Sequence, residues 1–138
     1  MYRISRFVVW AALFGGSAFA VHAEQITFDQ VTFWNDLSSC VSMTATEIST
    51  ESNVVWADTR FQLREPVDSC GCLSFLAVYT SSVSENGIRQ ALQKGLIDLR
   101  SGGEKKLVLA SDPALVANTQ VLVELTCPWS LRQKLSLD

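Results

Sequence analysis

The chain has 138 residues, 48% of them hydrophobic, with 11 basic and 14 acidic side chains, four cysteines and one histidine. That length supports one domain with a modest core. The formal charge of −3 excludes the basic footprint of a nucleic-acid or anionic-membrane binder.

Residues 1–23 carry a secretory-signal pattern. Arg3 and Arg6 give a basic start, residues 7–14 an apolar run, and Gly15, Gly16, Ser17, Ala18, Ala20 and Ala23 the small residues that precede cleavage. The run is too short to cross a bilayer. Ala20 and Ala23 both offer cleavage sites, and Ala23 is preferred because Glu24-Gln25 begins a polar stretch. No cysteine near the cleavage region suggests a lipoprotein, and no second long apolar run follows. The expectation is a periplasmic protein with no membrane contact after cleavage. Removing 23 of 138 residues leaves 115, with nine basic against fourteen acidic side chains and a net charge of −5.

His22 leaves with the signal. Without histidine, neither a Ser-His-Asp nor a Cys-His arrangement can be assembled, and histidine-based zinc or copper sites are excluded. The carboxylates are scattered, and no glycine-rich phosphate loop is present. The expectation is a protein that is not an enzyme and needs no cofactor or metal.

The rest of the chain alternates Val-, Thr-, Phe- and Leu-rich segments with turn residues at intervals of roughly ten, the pattern of an antiparallel sandwich. Residues 24–39 form an N-terminal extended segment, with 25–33 as an edge or linker stretch. Segment 40–49 is a strand with Val41, Met43 and Ala45 on one face, and 50–53 is polar and turns. Segment 54–63 follows, with Trp56 and Phe61 as bulky anchors, and Pro66 interrupts the ladder at 64–69. Segment 72–82 is apolar on both faces, with Leu73, Phe75, Ala77 and Tyr79 on one and Leu76 and Val78 on the other, and reads as a central strand. Asn86-Gly87 is a hairpin turn. In 88–99 the apolar spacing also fits a helix, but Gly95 and the sandwich context favour strand. Ser101-Gly102-Gly103 turns the chain into 105–110, where Lys105-Lys106 reads as edge protection. Segment 119–127 sets Val121, Val123, Leu125 and Cys127 on one face, Pro128 ends it, and 128–138 is a polar tail with Leu131, Leu135 and Leu137. The sandwich domain is thus 40–127, all-β, immunoglobulin-like, with six to seven antiparallel strands. Trp34, Trp56 and Trp129 read as core or rim packing rather than ligand stacking.

Counting strand reversals from Cys40 puts Cys40, Cys70, Cys72 and Cys127 at one pole. Three pairings are open. A Cys70–Cys72 bond is the least comfortable, because residues two apart on an extended strand lie roughly 6.5–7 Å apart at Cα, near the outer limit for a disulfide. Two separate disulfides, joining Cys40 and Cys127 to Cys70 and Cys72, would suit a small exported domain. A redox-active Cys70–Cys72 pair and a four-cysteine metal site are the alternatives. The metal reading lacks the usual ligand spacer.

The run Phe61-Gln62-Leu63-Arg64-Glu65-Pro66, then Cys70-Gly71-Cys72, then an alternating strand resembles the periplasmic curli-assembly protein C family. The likeness runs loosely from Cys40 to Cys127. It implies an immunoglobulin-like sandwich whose Cys-x-Cys motif, here Cys70 and Cys72, heads a central strand. It also implies a chaperone that keeps amyloid curlin subunits from aggregating. Two or three extra residues separate Pro66 from the motif here, Cys40 and Cys127 are additional, and the usual last strand is missing or replaced by the short tail. The functional expectation is therefore a binding module for another protein, an amyloid subunit or a toxin. An inhibitor or immunity protein and a thiol–disulfide exchanger using Cys70 and Cys72 are the competing readings.

Overall fold

The computed structural model describes residues 25–128, together with Gly15 and Gly16. The signal expected over 1–23 otherwise lies outside the described residues, as does the tail from 129 onward. Seven strands form two sheets: β1 (Val31–Asn35), β2 (Val41–Glu51), β3 (Val54–Leu63), β4 (Leu76–Glu85), β5 (Ile88–Asp98), β6 (Gly103–Ala110) and β7 (Val121–Thr126). One sheet has the order β1-β7-β4-β5 and the other β2-β3-β6. The protein is an all-β sandwich.

Two tight turns fix the hairpins. Ser52 and Asn53, at φ 51° and 62°, join β2 to β3, and Asn86 and Gly87, at φ 52° and 77°, join β4 to β5. Positive φ at both central residues gives the turn twist that continues a right-handed strand pair. The remaining connections cross between the sheets, so β3 with β6 and β4 with β7 lie as interlocked neighbours on opposite faces of the core. The edge beyond β7 is filled by β1, which runs parallel to it from Val31↔Val121 to Asn35↔Leu125. Part of the N-terminal segment thus completes the larger sheet. The turn after β1 is held by Asn35, whose Nδ2 donates to the Val41 carbonyl at 2.8 Å and whose Oδ1 accepts from the Leu37 N–H at 2.9 Å.

Alternation delivers one face of each strand to the interior. Val55, Ala57, Thr59 and Phe61 of β3, Leu107 and Leu109 of β6, Ala77, Tyr79, Ser81 and Val83 of β4, and Val121, Val123 and Leu125 of β7 are buried. Phe61 is the large interior anchor of β3, whereas Trp56 lies on the opposite face of that strand, beneath the Lys106 ammonium at 5.1 Å. Three register shifts interrupt the period, one of them between β3 and β6, where Val55↔Ala110 and Trp56↔Val108 leave Leu109 extra. The register steps from Ala45↔Thr59 to Glu47↔Asp58, leaving Thr46 as the extra residue, so the inward side shifts from Val41, Met43 and Ala45 to Ile48. In the other sheet it steps from Ser81↔Gln93 to Ser82↔Ala91, which leaves Leu92 extra. That step gives β5 its helix-like apolar spacing.

β4 begins at Leu76 and not at Cys72. Residues 73–75 bend, so Leu73 and Phe75 leave the alternation expected for them. β6 is an edge strand of its sheet and carries Lys105 and Lys106.

Candidate functional site

The ends of β1, β3, β5 and β7 and the starts of β2, β4 and β6 meet at one pole. All four cysteines are there. Cys40 bonds to Cys70, with Cα atoms 6.1 Å apart, and Cys72 bonds to Cys127, with Cα atoms 5.2 Å apart. Of the three pairings open to four cysteines, this is one of the two that join Cys40 and Cys127 separately to Cys70 and Cys72, and the Cys70–Cys72 bond is not formed. All four sulfurs are consumed in these two bonds.

Gly71 explains why neighbouring cysteines face different partners. Pro66 leads into a short 3₁₀ turn, Val67–Cys70, and Gly71 caps it in the left-handed conformation at φ 91°. Its N–H donates to the carbonyls of Asp68 and Val67, and the Cys72 N–H follows to Val67 at 3.3 Å. A side chain at that φ would be strained. The glycine therefore redirects the chain between the two half-cystines, sending Cys70 toward the start of β2 and Cys72 toward the end of β7.

Beside this turn lies a groove of about 580 Å³, within the usual range for a binding cleft. Leu63, Val67 and Leu99 form its apolar floor, with Pro66, Leu73 and Phe75 on the sides. Val67 and Leu99 are buried, but Leu73 is 49% exposed and Phe75 43%, so large apolar side chains are held at the surface. Both walls are fixed through the backbone. The Arg64 and Glu65 N–H groups donate to the Cys40 carbonyl at 2.7 and 3.1 Å, and the Leu99 N–H donates to the Phe75 carbonyl at 2.9 Å. Because Cys40 is cross-linked to Cys70 and Cys72 to Cys127, the first wall is tied to β2 and the second begins one residue after a bond to β7.

The groove's charges differ in availability. The Arg100 guanidinium stacks on the Phe75 ring at 4.4 Å and donates to both Asp98 oxygens, Nε at 3.2 and 3.0 Å. Those side-chain hydrogen bonds from Arg100 hold the Asp98 carboxyl below its ordinary value. Arg64 donates to the Ser38 carbonyl at 2.7 Å. Glu65 and Asp68 are exposed and make no ion pair among the described residues. The arrangement offers an apolar platform edged by two available carboxylates.

The four cysteines come together as the strand count expects. Trp34 and Trp56 do not join them: Trp34 is exposed on β1, with its Nε1 donating to Asp36 at 2.6 Å, and Trp56 lies on the outer face of the other sheet. Trp129 lies outside the described residues. The residues that sequence reasoning missed are Leu73, Phe75 and Arg100. The signal was Gly71 after Pro66: a left-handed residue there breaks the strand before position 76 and frees the apolar residues that follow.

Two disulfides mark a protein of an oxidising, exported environment. No helix among the described residues is long and apolar enough to cross a membrane. No curated protein and no solved structure matches the chain. Residues 12–130 match a family of uncharacterized proteins conserved in bacteria (DUF2195), and the chain belongs to that family.

Proposed function

We propose that this chain is a periplasmic protein-binding module that holds a short segment of a second protein in the groove beside the Cys70-Gly71-Cys72 turn. The observation that carries the reading is the exposure of Leu73 and Phe75 on walls fixed by two disulfides and paired backbone. Large apolar groups held at the surface around a concave site mark places where another molecule excludes water. The named version, supported by the Cys-x-Cys resemblance, is a chaperone that restrains aggregation of an amyloid curlin-type subunit.

A photo-cross-linking residue placed at position 75 tests the general reading. It should capture a second periplasmic protein in the producing bacterium, while the same group at Ile88, exposed at the far end of the sandwich, should not. Leu73→Ser, made with the probe still at position 75, should deplete the capture without lowering the unfolding midpoint, because the Leu73 side chain is substantially exposed. The curlin version requires that substoichiometric protein lengthen the lag of curlin fibrillation, and an unchanged lag removes it. A captured toxin or hydrolase would instead identify an inhibitor or immunity protein.

A further inference from the structure

The last described strand delivers the chain to the groove. Cys127, one residue after β7, is bonded to Cys72, whose neighbour Leu73 lines the groove. Only Pro128 separates Cys127 from residues 129–138, Trp-Ser-Leu-Arg-Gln-Lys-Leu-Ser-Leu-Asp. In that segment Trp129, Leu131, Leu135 and Leu137 share one parity, interrupted by Gln133, and Arg132 and Lys134 fall on the other. In extended form, such a pattern sorts apolar and basic side chains to opposite sides. Ten extended residues reach at most about 33–36 Å, ample from an anchor bonded to the residue beside Leu73 of the groove's lining.

Charge selects the same segment. Arg100 is paired with Asp98, and Arg64 keeps its charge while donating to the Ser38 carbonyl, so Arg64 against Glu65 and Asp68 leaves the rim with a net negative charge. An occupant that combines apolar side chains with Arg or Lys complements that rim, and a second acidic segment does not.

We propose that residues 129–138 are the groove's own occupant, with the apolar positions over Leu73 and Phe75 and Arg132 and Lys134 toward Glu65 and Asp68. This rests on the groove being a segment-binding site, and it gives the partner's chemistry: a stretch in which apolar residues alternate with Lys or Arg, able to displace the tail.

Zero-length carbodiimide cross-linking of the full exported chain, read by mass spectrometry, tests the contact. Lys134 should link to Glu65 or Asp68 within one molecule. Leu73→Ser with Phe75→Ala should deplete that link and speed tryptic cleavage after Arg132 and Lys134 by about fivefold or more, since cleavage tracks the undocked population. Glu65→Gln with Asp68→Asn should speed the same cleavage and make its rate less dependent on salt. Links from Lys134 only to distant carboxylates such as Glu85 or Asp112, links only between molecules, or a tryptic rate unaltered by both variants would overturn the proposal. If the tail fails these tests while position 75 still captures a second protein, the protein-binding reading stands and only the tail is removed from the groove.

Discussion

At Gly95 the larger sheet leaves room for one ring. A Cβ there would lie 2.5 Å from Cε1 of Tyr79, its partner on β4. The Tyr79 hydroxyl accepts the Val108 N–H at 3.2 Å, so this side chain ties β4 to β6 of the opposite sheet. Gly95→Ala has to displace the ring and its hydrogen bond, and an overpacking cost of about 1–3 kcal/mol is expected, read as a lower urea midpoint. Burial also raises the Tyr79 phenol above 10.0, with the Val108 hydrogen bond partly opposing it. The folded state therefore favours the protonated phenol. Stability should be insensitive to this group below pH 10.0 and should fall as pH rises from there through the folded-state value. The chain's other tyrosine, Tyr2, lies within the expected signal, so in a chain that starts at Glu24 Tyr79 is the sole tyrosine. Its phenolate absorbance should rise only above the ordinary midpoint and should vanish in Tyr79→Phe. A midpoint at the ordinary value would sink the idea.

Among the elements, the cross-linked turn is the decisive one. Its two disulfides span 30 and 55 residues of sequence, and chain-entropy arguments assign them about 3.6 and about 4.2 kcal/mol. Replacing either pair with alanine should lower the unfolding free energy by a few kcal/mol, whereas a loss well under about 1 kcal/mol would show that packing alone holds the pole. The strands themselves were legible where one face is buried without interruption. β7 is the clearest case, with Val121, Val123 and Leu125 inward and Leu122, Glu124 and Thr126 outward. Legibility failed where a backbone device breaks the period. The extra residue Leu92 lends β5 a helical look, Thr46 shifts the inward side of β2, and Gly71 delays β4 and frees Leu73 and Phe75 for the groove.

At the scale of the whole molecule, two sheets leave four edges. β1 is five residues long, β2 and β5 each carry a bulge, and β6 carries Lys105 and Lys106 while its Val108 N–H is taken by Tyr79. Such devices oppose edge-to-edge pairing. Lys106 also spans its sheet, passing over Trp56 to reach Glu51 at 2.9 Å. Lys105→Thr with Lys106→Thr should therefore promote concentration-dependent association, visible as an earlier-eluting species in size-exclusion chromatography, and an unchanged elution profile would refute that role for the pair. Sequence alone determined the all-β class, both hairpin turns and the gathering of four cysteines at one end, because these depend on local periodicity, turn chemistry and the count of reversals. Tertiary structure decided that β1 closes the larger sheet in parallel, that Cys40 joins Cys70 and Cys72 joins Cys127, and that Leu73, Phe75 and Arg100 converge on one groove. Those outcomes depend on which distant segments meet across the sandwich, and no window of the sequence contains both partners.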